Sequence, residues 1–517
     1  MKINLYILPV LLVILFSGCA YFRSTEYTVP PPEANTFTSA EYTDNGIPSF
    51  QEAKKFLPVP VLEKDKELLD MYWYCWGLTF KHIKKPFPAS GFPSNFLDEA
   101  FNRDIFQWDT IFMLMFARYG HQAFPFINSL DNFYTKQHPD GYICRELLEK
   151  NGRDFFKTSA DPKAVNPPLF AWAELESFKL TGDVERLRKV LPVLERYAAW
   201  LEIGRRKKNT VHKLFWNSNL GSGMDNSPRS GSGWVDMSAQ MVIQYNCMAY
   251  MADVLGEKDK ASYFRNRADE IAALMNKWMW NSEDGLYYDV DDKGKQIKRK
   301  TIACFWPMLA GVTTEAQTEA LLKNLKNPKT FWRTIVFPTL SADDKVYKPR
   351  GGYWHGAVWA PTNMAVIKGL ERQGRYDFAY EASEKYLKGM EKVFRKTGTV
   401  WENYAPDSYS QGKPAKPRFV GWTGCGPIAL LIENIIGIKC DAAAKRIIWR
   451  IHRTDSHGVK NLRFGNTKVS LTAEARENNN LPLSITVESS GEFTLTVYVG
   501  GKRKEFTVHK GKNTLKL

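Results

Sequence analysis

Cysteine is scarce, seven residues in 517, and no two stand at a spacing that suggests a zinc site or a disulfide staple. Cys75, Cys247 and Cys304 fall within apolar helical patterns, the setting of buried thiols. Cys144, Cys425 and Cys440 add no ligand pattern, and no Asp/Asn-Gly loop has the form of a calcium site. Neither a metal nor a cofactor is therefore expected. Past the first residues no segment approaches the about 20 apolar residues that a membrane span requires, so the remainder should be soluble. No repeat recurs at a fixed period, which argues against an open helical solenoid. Acidic residues are in deficit, 56 against 71 Lys and Arg, for a formal net charge of +15. The surplus is spread along the chain and is densest from Lys439 to Lys516. Nearness to anionic lipid or an acidic glycan accounts for it more simply than nucleic acid, and no nucleic-acid partner is expected.

What is present begins with Met1-Lys2, an apolar run from Ile3 to Phe16, and Ser17-Gly18-Cys19. A positive start, a short apolar core and a lipobox-like end read as a lipoprotein signal peptide over 1–18, with Cys19 lipidated. The residues after Cys19 lack an acidic run of the kind that in some Gram-negative bacteria directs lipoproteins to the cell surface. The expected location is the periplasmic face of the outer membrane, held by the anchor. Residues 19–47, rich in Thr, Ser, Pro, Glu and Tyr without apolar periodicity, read as a flexible tether.

Over 48–440 helical apolar patterns alternate with Gly/Pro/Asn-rich connectors. Periodicity predicts helices near Leu62–His82, Asp109–Tyr119, Gln122–Thr135, Leu169–Leu180, Val184–Gly204 and Val235–Leu255. Six more are predicted near Lys258–Trp278, Ile302–Leu309, Thr314–Leu325, Val358–Gln373, Tyr376–Thr397 and Gly424–Ile436. Taken as antiparallel pairs they can close into a ring, with inner helices buried all round and outer ones amphipathic. From 441 to 517 the texture changes to period-two alternation, as in Ile447–Ile451, Leu483–Val487 and Phe493–Tyr498. The expected fold is thus mainly α, an (α/α)6 barrel, with a small C-terminal antiparallel β domain.

Two carboxylates stand out by their settings. Asp225 lies in Gly221-Ser-Gly-Met-Asp-Asn-Ser-Pro-Arg229, and Glu402 lies in Val400-Trp-Glu-Asn-Tyr-Ala-Pro-Asp407. Glycine and proline around one, and aromatics around the other, suit loops that present an acid beside stacking surfaces. Cleaving an acetal needs one carboxylic acid for the leaving oxygen and a second carboxylate to activate water or to attack. An Asp in a Gly-Pro turn is also commonplace, and Asp407 and Asp236 compete for either role.

Five segments in order carry a resemblance. They are Phe106-Gln-Trp-Asp-Thr110, Gly223-Met-Asp-Asn-Ser-Pro-Arg229, Pro349-Arg-Gly-Gly-Tyr-Trp-His-Gly-Ala-Val-Trp359, Trp401-Glu-Asn-Tyr404 and Phe419-Val-Gly-Trp-Thr-Gly-Cys-Gly-Pro427. Together they resemble the clan of inverting glycosidases that holds trehalases (family 37) and the processing α-glucosidases and mannosylglycerate hydrolases (family 63). Met-Asp-Asn-Ser-Pro-Arg is most similar to mannosylglycerate-hydrolase-like members. The resemblance implies the (α/α)6 barrel, inversion at the anomeric centre, Asp225 as general acid and Glu402 as general base. It also implies a water-sized gap between them, roughly 6.5–9.5 Å. The region around Asp140–Glu146 and Asn166-Pro-Pro168 departs from trehalases, which argues against trehalose and leaves α-glucosides and α-mannosides.

Within that resemblance Asp109 would bind sugar hydroxyls, although an N-cap role is the ordinary explanation. Arg145 and Arg229 would donate to hydroxyls or to a charged aglycone. Trp108, Trp354, Trp359 and Trp422 would stack on pyranose faces, while Trp359 and Trp422 fit a core equally well. Asn226 and His355 would hydrogen-bond the sugar. The expected activity is exo-acting hydrolysis of α-linked glucosides or mannosides, on a saccharide or glycoside partner. Two other readings are a polysaccharide lyase on the same barrel, which the carboxylate pair disfavours, and an inactive glycan-binding lipoprotein, which retention of both acids disfavours.

Overall fold

The computed structural model describes residues 27–99, 102–155 and 161–517. The proposed signal peptide and Cys19 lie outside the described residues. The body is mainly helical, with a separate region of sheet.

Three helices coincide with their predicted ranges: Val184–Gly204, Lys258–Trp278 and Tyr376–Thr397. Their ends are marked locally. The Asp183 carboxylate accepts the Arg186 N–H at the start of the first, and Gly398 closes the last with a left-handed φ of 70°. The range predicted at 122–135 is instead a 3-10 turn, Phe126–Leu130, followed by the short helix Asp131–Tyr134. Pro125, which cannot donate an N–H, bars a continuous helix there. The last predicted helix starts at Gly426 and runs to Ile436 with π-type hydrogen bonding.

Every residue of Gln107–Ala117 is buried, and Phe170–Thr181, Val235–Val254 and Ala360–Arg372 are buried on nearly all faces. Helices apolar all round must be enclosed by others. Gln107–Ala117 packs on Phe170–Thr181, which packs on Val235–Val254, which packs on Trp306–Ala310. Trp306–Ala310 packs on Ala360–Arg372, which meets Thr423–Cys425, and that turn touches Gln107–Ala117 again. Amphipathic helices such as Val184–Gly204 and Tyr376–Thr397 lie against the members of this circuit.

The sheet region differs from expectation in two ways. A five-stranded antiparallel sheet runs Val59–Leu62, His457–Phe464, Thr467–Ala473, Ser484–Ser489, Gly511–Lys516, so its first edge comes from the N-terminal side of the chain. A four-stranded sheet runs Ile438–Asp441, Arg446–Ile451, Phe493–Val499, Lys502–Val508, and its central pair is parallel. The region is therefore not wholly antiparallel. After Ile451 the chain leaves to build three strands of the other sheet and returns at Phe493 running the same way. The sheet is tied to the helices where Trp449 Nε1 donates to Ile436 O at 2.8 Å.

A further correction concerns the segment expected to be a flexible tether. Between Tyr27 and Phe37 it is pinned to the helical body at several points, while residues 41–47 are exposed. The Tyr27 ring stacks on Tyr263 at 3.9 Å, and Arg196 donates to Pro30 O at 2.9 Å. Asn35 Nδ2 donates to Tyr134 O and to Gln137 Oε1, and Phe37 is 1% exposed. Composition missed this because a few anchors, spaced without period, are enough to dock a polar segment.

Candidate active site

The first wall is the start of helix Gln107–Ala117. Gln107 Nε2 donates to the carbonyls of Ile143 and Cys144 (3.0 and 2.9 Å), and the Gln107 N–H donates to Arg145 O (3.0 Å). These bonds bring Arg145 beside Trp108 and Asp109. Asn166 then ties this wall to the loop of Asp225. Its Oδ1 accepts the Trp108 N–H (3.3 Å) and its Nδ2 donates to Gly221 O (3.0 Å). Gly223, at φ 76°, presses the loop against the indole of Trp108, where a Cβ would sit 2.8 Å from the ring. A side chain at 223 would therefore clash with that ring, and the loop or the indole would have to move.

These elements and one further loop enclose a cavity of about 110 Å³. Of the residues singled out from the sequence, Trp108, Asp109, Arg145, Asp225, Trp354 and Trp422 line it, while Glu402 is not among the lining residues and is joined to them through Tyr353. Asn102, Phe106, Asn166 and Tyr353 also line it and were not predicted. Asn166 stands in the Asn-Pro-Pro run that marks a departure from trehalases, which was the signal available. Tyr353 lay within a quoted motif, between Gly352 and Trp354.

Glu402 is nearly buried and held on three sides. The Lys416 N–H donates to Glu402 Oε2 (3.1 Å), the Tyr353 hydroxyl to Oε1 (3.4 Å), and Trp422 Nε1 to the main-chain oxygen (3.0 Å). Burial raises its pKa from 4.5 to about 7, with a smaller contribution from the charge of Asp225. The bonds from Lys416 and Tyr353 and the Lys416 charge act the other way. Asp109 is held well above the ordinary carboxylate range, chiefly by burial and then by Asp225. Glu99, fully buried beside Asp98, is raised likewise by burial and by its acidic neighbours, Asp109 among them. Sequence reading missed it, since nothing local marks a buried acid.

Arg145 reaches the cavity but is already engaged. Its guanidinium pairs with buried Glu146 and donates to Leu220 O (3.3 Å).

Four residues expected to bind sugar do not line the cavity. Arg229 is buried behind it, bonded to Asp236 (2.8 Å) and Asp289 (2.9 and 2.8 Å) and lying over the Trp234 ring at 4.2 Å. It anchors the end of the Asp225 loop. Asn226 is exposed, and its amide bonds to the backbone on either side of Tyr353. Trp359 is fully buried and stacks behind Trp354, centroids 4.1 Å apart at 6°. His355 faces Lys348, Arg299 and Asp344. The competing acids are engaged too: Asp236 with Arg229, and Asp407 with Arg333 (2.6 Å) and the Tyr347 hydroxyl (3.0 Å).

Residues 104–423 match the sequence profile of the mannosylglycerate hydrolase MGH1-like glycoside hydrolase domain. An uncharacterized protein of Borreliella burgdorferi is 27% identical over 408 residues, spanning 75% of this chain and 83% of its own. Among solved structures, the family 63 mannosylglycerate hydrolase of Thermus thermophilus in complex with glucose superposes with a TM-score of 0.54 at 19% identity. That match covers 69% of this chain and 98% of the other. The neutral trehalase of Saccharomyces cerevisiae superposes with a TM-score of 0.53 at 13% identity, over 68% and 76%.

Proposed function

The chain belongs to the MGH1-like glycoside hydrolases, and from that premise we propose an exo-acting enzyme that hydrolyses α-linked glucosides or mannosides with inversion at the anomeric carbon. Asp225 is the general acid and Glu402 the general base. The observation that carries the reading is that Asp225 lines a small aromatic-walled cavity whose Tyr353 bonds Glu402, 177 positions away, and lies in the field of both acids. The circuit of packed helices around that cavity supports an (α/α)6 barrel.

The chemistry follows from the placement. Asp225 gives its proton to the glycosidic oxygen as the bond to the anomeric carbon breaks, and the aglycone leaves as an alcohol. A water on the opposite ring face forms the new carbon–oxygen bond while Glu402 takes its proton. Exchange with solvent then returns a proton to Asp225 and removes one from Glu402. Asp109 accepts sugar hydroxyls, and Trp108, Trp354 and Trp422 offer apolar faces to the ring. The exo mode is tested by the products released first from a longer α-linked saccharide.

The signal-like start and Cys19 support export as a lipoprotein to the periplasmic face of the outer membrane. A Cys19→Ala variant that still fractionates with membranes would remove that part of the reading. The activity is tested on a panel of nitrophenyl and natural α-glycosides. Asp225→Asn is expected to lower kcat by about 10²–10⁴, and proton NMR of the first-released sugar should show inverted configuration. Unchanged turnover in Asp225→Asn, or retained configuration, would overturn the respective assignment.

A further inference from the structure

We propose that Tyr353 is a positioning residue for Glu402, and that Asn226 holds Tyr353 there, so that acid and base are set by one connected frame; this rests on the acid and base roles given above. Tyr353 has a φ of 64°, left-handed backbone that a bulky side chain adopts only when its surroundings enforce it. The enforcement is visible on both sides. Asn226 Nδ2 donates to Gly352 O (3.2 Å), and the Trp354 N–H donates to Asn226 Oδ1 (2.9 Å). Between them, Trp359 Nε1 donates to Tyr353 O (3.3 Å), and the two rings meet edge-to-face at 4.9 Å. Residues 352, 353 and 354 are therefore all fixed from outside the turn, and the residue doing most of this is the immediate neighbour of Asp225.

The phenol so placed ends 3.4 Å from Glu402 Oε1 and lines the cavity. A hydroxyl has one proton to donate and lone pairs to accept with. Donation to Glu402 leaves the lone pairs free to receive an O–H of the attacking water, whose other O–H faces the carboxylate. Two contacts orient a water where one does not. The arrangement also gives Asn226 a use other than sugar binding: its amide groups are both engaged by the backbone they clamp.

The groups that face Glu402 are the Tyr353 hydroxyl, Lys416 through its N–H and its charge, and the Asp225 carboxyl. Of these, the Tyr353 bond favours the ionised form, so its removal raises the pH at which Glu402 loses its proton. A purely structural tyrosine would leave that pH unchanged.

The test compares Tyr353→Phe, Asn226→Ala and the double variant. Tyr353→Phe should lower kcat about tenfold, leave KM within about twofold, and move the acidic limb of kcat/KM upward by about half a pH unit or more. Asn226→Ala should reproduce the shift, and the double variant should shift no further than Tyr353→Phe. The Glu402 carboxyl is also titrated directly by NMR in protein carrying ¹³C-labelled glutamate, its resonance identified by loss in Glu402→Gln. An unmoved midpoint in Tyr353→Phe overturns the proposal whatever the activity. An Asn226→Ala that raises KM with the limb in place returns Asn226 to sugar binding and overturns the clamp. If no α-glycoside is turned over yet the midpoint rises in both variants, the α-glycoside reading falls and the frame stands.

Discussion

Glu402→Gln should inactivate the enzyme and stabilise it, with the stabilisation depending on pH in a calculable way. In the folded protein burial raises the Glu402 pKa from 4.5 to about 7, so the native state binds this proton more tightly than the unfolded chain. The stability from that preference is complete below 4.5 and is lost as pH rises through about 7. Relative to the protonated carboxyl, keeping Glu402 buried therefore costs under about 1 kcal/mol at pH 5 and roughly 3 kcal/mol at pH 8. The amide of glutamine removes this dependence while keeping both side-chain partners, since its oxygen can accept from the Lys416 N–H and its nitrogen can donate to the Tyr353 hydroxyl. An unfolding entropy of about 2.1 cal/mol/K per residue makes each kcal/mol worth roughly 1 °C in a chain of this length. Calorimetric scans of both proteins at one scan rate should show Glu402→Gln unfolding about 3 °C higher at pH 8, and about 1 °C or less higher at pH 5. An equal gain at both pH values, or a loss at pH 8, would refute the argument that burial is what lifts this carboxyl.

Other outcomes follow from named contacts. For the wild type, kcat/KM should fall about tenfold per pH unit below about 7, because Glu402 as the proposed base must be ionised; a flat profile from pH 5 to 8 would contradict that proposal. Arg229→Met should destabilise the protein by about 3–5 kcal/mol, since Asp236 and Asp289 would be left buried without their cation. Thermal unfolding at neutral pH reads this, and a variant as stable as the wild type would remove the anchoring role. Phe37→Ala should release the packed N-terminal segment, so limited proteolysis should cut within 27–47 faster while activity persists. Equal cleavage rates would show that Phe37 is not the pin.

Helices 184–204, 258–278 and 376–397 were legible because stop signals and an amphipathic stripe agree in each of them. The strand His457–Phe464 was not, because Asn461 at φ 58° interrupts its alternation where the register shifts between Val459 and Leu462. At the site, several motifs fall on segments that border the cavity, but they do not say which side chains turn inward. In the Tyr353–Trp359 run, the positive φ of Tyr353 and the stacking of Trp354 on Trp359 decide which rings line the cavity. Likewise Met224 to Arg229 reads as one motif, yet Asp225 faces the cavity, Asn226 the backbone of the next loop, and Arg229 two buried aspartates. Asn226 is held by backbone 126 positions away and Arg229 in part by Asp289, 60 positions away, which local sequence does not carry.

The pairing of Val59–Leu62 with His457–Lys460 makes two strands far apart in the sequence mutual templates. A chain emerging N-terminus first presents that strand long before its partner exists, so the five-stranded sheet can close only after residues 457–516 have been made. Until then, residues 59–62 offer an unpaired edge to whatever else is near. The sheet region cannot be excised at residue 441 as a self-sufficient piece, because the excised piece would carry a bare edge where Val59–Leu62 belongs. Closure of this strand couples the formation of that sheet to the seating of the segment around Val59–Leu62.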